Sequence, residues 1–166
     1  FSAASIADIL QNHLNQYGTL DNLADKVAIQ LNDTHPTVAI PEMMRILLDE
    51  CSYEWDAAFD ICRKVFAYTN HTVMSEALEK WNADIFRNTL PRIWQIVCEM
   101  DRRCRADLAK AFPGDQGKID YMAIIGDNQV RTANICASST TATERNAHQN
   151  EHAPTSATHH ESYQNS

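Results

Sequence analysis

Hydrophobic residues recur at helical spacing in four stretches of the chain, and each stretch predicts a helix. Ser5 and Ser52 are placed to cap two of these helices, and Gly18 is placed to end the first. Pro41 fits a helix only in its first turn, where a missing N–H costs little. The predicted helices run from Ser5 to Gly18, from Val38 to about Glu50, from Ser52 to Cys62 and from Pro91 to Ala111.

Two short apolar segments, KVAIQLN at 26–32 and VFAYTN at 65–70, predict buried strands, because they are too short and too apolar for surface helices. Helices separate the two segments, so they predict a βαβ unit with parallel strands and a right-handed crossover. A third segment, YMAIIGD at 121–127, predicts a short strand followed by a turn. The expected fold is therefore α/β.

The hydrophobic pattern ends at Cys136. Residues 137–166 contain no Val, Ile, Leu, Met, Phe or Trp, and their only apolar residues are alanines and Tyr163. Such a segment cannot bury enough surface to offset the entropy lost on ordering. We therefore expect a folded region at 1–136 and a disordered tail at 137–166.

The charge balance narrows the possible partners. The chain has 14 Lys and Arg against 22 Asp and Glu, a net charge of −8, which argues against nucleic acid because phosphate binding needs clustered cations. No apolar run approaches the ~20 residues that cross a bilayer, and no signal peptide is visible. The five cysteines lack zinc-site spacing, which favours reduced thiols in a cytoplasmic protein. A start at Phe1 suggests a processed chain or a fragment.

Polar side chains follow both predicted parallel strands at the point where each strand ends. Parallel strands present their carboxyl ends at one edge of a sheet, and ligands of open α/β sheets bind beyond that edge. The set has no basic residue for phosphate, and its groups suit the hydroxyls of a sugar. These residues are Asn32, Asp33, Thr34 and His35 after the first strand, and Asn70, His71 and Thr72 after the second.

The polar clusters could also serve helix capping, metal binding or nucleophilic catalysis. Helix capping accounts for either cluster alone equally well, since Asn, Asp and Thr are ordinary N-caps. Two clusters at matching strand ends, each with a histidine, favour a binding site. Zinc could use His35 and His71 but lacks a convincing third ligand. A nucleophilic triad lacks a serine in a nucleophile-elbow pattern.

Long motifs in the sequence resemble the α-glucan phosphorylases, the family of glycogen, starch and maltodextrin phosphorylases. The motifs are VAIQLNDTHPTVAIPEMMRILLDE, FAYTNHTVMSEALEKW, LPRIWQIVCEMDRR and FPGD, and the resemblance covers residues 1 to about 136. It implies an internal piece of the N-terminal domain of a larger enzyme. That enzyme would have two Rossmann-like domains facing each other across a cleft, the GT-B arrangement. It would use orthophosphate to cleave terminal α-1,4-glucosyl residues, giving glucose 1-phosphate.

The resemblance also assigns roles to individual residues. His71 matches the histidine that contacts the glucosyl residue being cleaved, which implies a catalytic role, and Thr72 lies beside it. Asp33 and His35 match residues that line the same pocket, and Asn32 and Asn70 are expected to bind substrate with them. The family's pyridoxal phosphate works through its phosphate group. The resemblance further implies a cytoplasmic homodimer as the parent protein.

This sequence departs from the family pattern in three ways. Ser75 stands where the family usually has proline. The cofactor lysine, the basic phosphate-binding residues and the glycine-rich loop of the family are absent from the sequence. The expected VNG-type segment after NIC is replaced by ASSTTATERNAHQNEH, which suggests a shifted reading frame. We therefore expect the isolated chain to be inactive.

Two other functions stay open at this stage. One is another GT-B glycosyltransferase that uses a nucleotide sugar, which a basic or glycine-rich diphosphate site would favour. The other is a non-catalytic glucan-binding or interaction domain, which glucan binding without phosphorolysis would favour.

Overall fold

The computed structural model of the chain describes residues 1–71, 74 and 78–140. These residues form eight α-helices and five short strands. The helices are α1 (Ser2–Tyr17), α2 (Leu23–Lys26), α3 (Ala39–Arg45), α4 (Trp55–Val65), α5 (Ala83–Thr89), α6 (Pro91–Ala111), α7 (Gln116–Met122) and α8 (Thr132–Ser139). The strands are β1 (Ile29–Asn32), β2 (Phe66–Thr69), β3 (Lys80–Asn82), β4 (Ile125–Gly126) and β5 (Gln129–Arg131). No helix of the described residues is long and apolar enough to cross a membrane.

The predicted parallel strand pair is confirmed. β1 and β2 pair in parallel from Ile29 opposite Phe66 to Asn32 opposite Thr69. Both strands therefore end at the same edge, as the sequence predicted. Leu31 and Phe66 are each 2% exposed, because helices cover the pair. The coarse α/β description holds, with helices packed on a small parallel sheet.

The helix predicted from Val38 to Glu50 forms the centre of the core. α3 contacts α1, α4 and α6, and its Met43 and Met44 are fully buried. Pro41 lies in the first turn of α3, as expected. The helix continues as a π-helical turn, Ile46–Glu50, in which the Cys51 N–H donates to Ile46 O at 3.0 Å.

Two predicted helix starts are wrong. α1 begins at Ser2, and the Ser5 N–H already donates to Phe1 O inside the first turn. Ser52 has φ 58° and lies in the turn after the π-helical segment, so the next helix begins only at Trp55. The predicted end of α1 is confirmed: Gly18 has φ 73°, and its N–H donates to Leu14 O at 2.8 Å.

A second, antiparallel sheet of order β3-β5-β4 was not foreseen. Within the predicted strand at 121–127, only Ile125 and Gly126 are in a strand. Tyr121 and Met122 instead end α7, whose first turn is capped by Asp115 accepting from the Lys118 N–H at 2.9 Å. The side chain of Trp81 on β3 stacks on Phe86 of α5 with ring centroids 5.5 Å apart.

The predicted disordered tail begins too early at residue 137. α8 runs to Ser139, and both Cys136 and Ser139 are fully buried. Ser138 and Thr140 donate their hydroxyls to the carbonyls of Ile135 and Cys136, so small polar residues continue the helix without large apolar side chains. Residues 141–166 of the predicted tail lie outside the described residues.

Candidate functional site

The chain leaves β1 through a left-handed residue. The Asp33 N–H donates to Thr69 O at 2.9 Å, which extends the hydrogen bonding between β1 and β2 by one residue. Asp33 has φ 63°, a conformation that aspartate tolerates better than most residues because its short side chain bonds locally. Its Oδ1 accepts from the Thr34 N–H at 2.7 Å. This bond turns the chain away from the sheet edge.

A turn stabilised by the hydroxyl of Thr37 then leads to α3. The N–H and Oγ1 of Thr37 both donate to Thr34 O, at 3.1 Å and 2.6 Å. Thr34 and Thr37 are buried at 2% and 0% exposure. None of the polar residues at the end of β1 caps α3, whose N-cap is Val38 without a side-chain bond. Helix capping therefore does not explain why Asn32, Asp33 and His35 are polar.

The two strand ends are joined by a side-chain contact. His71 Nε2 lies 2.5 Å from Asn32 Oδ1, and both residues are exposed. An amide oxygen only accepts, so Nε2 of His71 is the donor. The contact lies at the edge where the two polar clusters were expected to meet, because the parallel register places Asn32 opposite Thr69.

His35 lies at the surface, with 76% of its side chain exposed. Its Nδ1 is 3.4 Å from Oε2 of Glu79, and the same oxygen accepts from Thr34 Oγ1 at 3.2 Å. Glu79 was not identified from the sequence. It stands immediately before β3, a strand that was also not predicted, and no spacing rule connects it to a residue 45 positions earlier.

Beneath the polar residues lies a buried, uncharged layer. Thr37 Oγ1 is 3.3 Å from Cys136 Sγ. Burial raises the pKa of the Cys136 thiol to about 11, and the charge of Asp33 adds to the effect. Burial likewise raises the pKa of Tyr68 to about 12, with smaller contributions from Cys136 and Asp33. Both the thiol and the phenol are therefore neutral near pH 7.

The remaining predicted site residues fall into two groups. Asn70 follows β2 and is exposed at the same sheet edge. Thr72 lies outside the described residues. Among the residues that the structure describes, no group of three or more His, Cys, Asp or Glu could hold a metal ion. His35 and His71 thus gain no third metal ligand there.

Comparison with known sequences identifies the family. The profile of the carbohydrate phosphorylases matches residues 1–149, most of the chain. The chain belongs to this family. The match extends past Cys136, where the sequence motifs of the family were expected to stop. Membership favours a phosphorylase over the two alternatives considered from the sequence.

Three curated relatives share similar percentages of identical residues with this chain. The chain is 42% identical to a glycogen phosphorylase of Chlamydia trachomatis over 133 residues, and 44% identical to that of Bacillus subtilis over 133 residues. It is 43% identical to the muscle form of glycogen phosphorylase from Ovis aries over 141 residues. Each alignment covers 80% of this chain and 16–17% of the relative. The chain thus spans about one sixth of the length of these curated relatives.

Proposed function

We propose that this chain is part of a glucan phosphorylase and forms part of one wall of its glucan site. The protein would cleave terminal α-1,4-glucosyl residues with orthophosphate and release glucose 1-phosphate. The single observation that carries the proposal is the contact between His71 and Asn32 at the carboxyl ends of β1 and β2. Such sheet edges are where ligands bind in open α/β folds.

The chemistry of these residues suits a neutral, hydroxylated substrate. His71, Asn32, Asp33, His35 and Asn70 offer amide, imidazole and carboxylate groups, and no lysine or arginine is among them. We assign His71 a catalytic role, because a neutral imidazole beside the cleaved bond contributes a directional hydrogen bond without a permanent charge. We assign Asp33, His35, Asn32 and Asn70 to substrate binding, together with Thr72.

The finer architecture is part of the same proposal. Residues 1–136 would belong to the N-terminal domain of a GT-B enzyme, in which two Rossmann-like domains face each other across a cleft. The parallel order of β1 and β2 supports this. The parent would be a cytoplasmic homodimer, as the resemblance of the sequence motifs to the family implies.

The cofactor of the family does not fit the residues of this chain. Pyridoxal phosphate forms a Schiff base with a lysine that is shielded from water. All five lysines here are exposed, and several contact other side chains: Lys64 bonds Asp60, Lys110 bonds Asp107, and Lys118 lies over the Phe112 ring. The cofactor would therefore be held by another part of the phosphorylase.

A domain-replacement experiment tests the function. The matching 133-residue region of the Bacillus subtilis glycogen phosphorylase would be exchanged for the aligned residues of this chain. We expect phosphate-dependent release of glucose 1-phosphate from maltodextrin by the hybrid. A hybrid that is folded and carries its cofactor but has no phosphorolytic activity would contradict the proposal.

The isolated chain provides the complementary test. We expect neither a Schiff-base absorbance band with pyridoxal phosphate nor glucose 1-phosphate above a blank, because one wall cannot complete the cleft. Product formation by the isolated chain would show that it holds a complete site, and the proposed division of the site would be wrong.

We propose that a shifted reading frame accounts for the change of sequence motifs after Cys136; the family profile itself matches as far as residue 149, so the gene sequence has to decide. Residues 137–166 lack every large aliphatic residue, unlike a segment that continues a sheet. Sequencing of the gene tests this assignment. One alternative frame should encode an apolar VNG-type segment, and its absence from both alternative frames would identify a divergent but genuine tail.

A further inference from the structure

The backbone of Glu79 is held in position beside the candidate site by hydrogen bonds. Its backbone carbonyl accepts from Oγ1 of Thr132 at 2.7 Å and from the N–H of Thr132 at 3.4 Å. Thr132 is fully buried at the start of α8, directly after β5. The neighbouring residue Lys80 pairs with Arg131 between β3 and β5. The Glu79 backbone is therefore anchored at its carbonyl by the start of α8 and through the next residue by the β3–β5 sheet.

The carboxylate of Glu79 bridges from this anchor to the turn after β1. Its Oε2 accepts from Thr34 Oγ1 at 3.2 Å and lies 3.4 Å from His35 Nδ1. Thr34 is nearly inaccessible, whereas the His35 imidazole is largely exposed and has no other contact to restrain it among the described residues. One carboxylate oxygen thus joins a rigid position to a largely exposed ring.

The chemistry of this contact determines which nitrogen of His35 carries the proton. A carboxylate accepts hydrogen bonds and donates none, so a neutral His35 beside it keeps its proton on Nδ1. Its Nε2 then carries the lone pair. His71 has the opposite arrangement, because Asn32 Oδ1 accepts from its Nε2. In their neutral forms the two histidines would therefore be different tautomers, and each would leave one nitrogen able to accept.

We propose that Glu79 is a positioning residue of the glucan site. It fixes His35 as the Nδ1–H tautomer, so that Nε2 accepts a hydrogen bond from a glucan hydroxyl. This inference rests on the proposed function for the glucan and on the structure for the tautomer. The 3.4 Å separation is longer than a full hydrogen bond, as is common for site contacts before substrate binds. Glucan binding should shorten it.

Nuclear magnetic resonance of the full chain tests the tautomer directly. Long-range ¹H–¹⁵N correlation spectra above the titration range of the histidines report which ring nitrogen is protonated. We expect Nδ1–H for His35 in the wild-type chain. Glu79→Ala should convert His35 to the Nε2–H form that an unrestrained imidazole prefers. Glu79→Gln retains an acceptor oxygen and should keep the Nδ1–H form.

Two controls separate positioning from general damage. Glu54→Gln changes an exposed glutamate at the start of α4 and should leave both histidines unchanged. The tautomer of His71 should be unaffected by Glu79→Ala, since Asn32 fixes it. An Nε2–H form of His35 in the wild-type chain, or an Nδ1–H form in folded Glu79→Ala, would overturn the proposal.

A maltoheptaose titration of the same samples distinguishes this inference from the proposed function. Shifts of His35 Nε2 and of His71 that saturate with maltoheptaose support both. Shifts of His71 without any response of His35 Nε2 overturn the role of Glu79 and leave the glucan site standing. Absence of a response from either histidine both in the chain and in the hybrid phosphorylase, with the Nδ1–H tautomer of His35 intact, counts against the proposed function instead.

Discussion

The chain contains two clusters built around an aspartate, and they differ in how their polar groups are used. At the first, Asp101 of α6 is 8% exposed, and its Oδ1 accepts from the N–H groups of Ile124 and Ile125 at 2.8 Å and 3.0 Å. Its Oδ2 accepts from Arg105 Nε at 2.8 Å. Arg105 also donates to Ile125 O at 2.6 Å. The donors to this carboxylate are two backbone N–H groups and one arginine of the same chain, so Asp101 serves to hold the fold together.

The second cluster, at the ends of β1 and β2, has most of its polar side chains exposed at the surface. Asn32, His35 and His71 are exposed, and Asp33 is half-buried. Asp33 accepts from only one backbone N–H in the described structure, that of Thr34. The two clusters cannot be distinguished by their residue types, because both contain acidic and hydrogen-bonding residues. The difference lies in exposure to solvent, which is low at Asp101 and high at Asn32, His35 and His71.

The largest expected effect is at His71. In the hybrid phosphorylase, His71→Ala should lower kcat about 10²–10³-fold with a smaller change in KM, because a hydrogen bond made in the transition state is lost. Steady-state kinetics measure this. Asn88→Ala, which changes an exposed residue of α5, serves as the control and should leave kcat unchanged. An unchanged kcat with only a raised KM would reject the catalytic role of His71.

The next effect is structural and belongs to the first cluster. Asp101→Ala should lower the free energy of unfolding by about 3 kcal/mol, because two backbone donors and Arg105 lose their acceptor in a buried position. Urea denaturation of the isolated chain measures it. Asp107→Ala on the same helix removes an exposed pair with Lys110 and should cost less than about 0.5 kcal/mol. Equal losses of unfolding free energy in Asp101→Ala and Asp107→Ala would contradict the proposed structural role of Asp101.

Lowering the pH should reveal a smaller contribution of the surface of α6 to the free energy of unfolding. Hydrogen bonds from Arg102, and then from Arg103, lower the pKa of Glu99 from 4.5 to about 2. A lowered pKa in the folded state stabilises the fold fully above pH 4.5, and this stabilisation is lost as the pH falls toward 2. Because the side chains are partly exposed, we expect about 1 kcal/mol at most.

Urea midpoints of the wild type and Glu99→Gln from pH 7 to pH 2.5 test this expectation. The wild type should be more stable at pH 7, and the difference should shrink as the solution becomes acidic. A difference that stays constant across this range would show that Glu99 contributes by packing rather than by its charge.

The smallest effect is expected for the conservative change Asp33→Asn. Asp33→Asn should change the free energy of unfolding by less than about 0.5 kcal/mol, since asparagine tolerates positive φ and its Oδ1 still accepts from Thr34. Asp33→Ala should cost about 1 kcal/mol more, because alanine is strained in this conformation. Similar stabilities of the two variants would indicate that the left-handed turn contributes little.

Local patterns were sufficient for several elements. The apolar segments around Leu31 and Phe66 predicted two strands, and the parallel pairing followed from the helices between them. The start of α6 at Pro91 was also correct, because proline is preorganised for the first turn of a helix. The meeting of the two polar clusters at one sheet edge was predicted for the same reason, but the particular contact between Asn32 and His71 was not.

Other features depend on contacts between distant parts of the chain. β3 and β5 have three residues each, too few for a period of two to be recognised, and they form because Trp81 pairs with the buried Val130. α8 continues beyond Cys136 because Ser139 is enclosed by the fold, although its sequence lacks large apolar residues. Ser52 begins no helix, because it is itself the left-handed residue, with φ 58°, in the turn after the π-helical segment.

The sequence by itself therefore determined the family, the parallel strand pair and most of the polar residues at its edge, since these depend on local patterns and long motifs. Only the tertiary structure decided that Glu79 reaches Thr34 and His35, and that His71 reaches Asn32. The physical reason is that a hydrogen bond depends on the position and direction of both partners. Those are fixed only when β3, β5 and α8 have packed beside the end of β1.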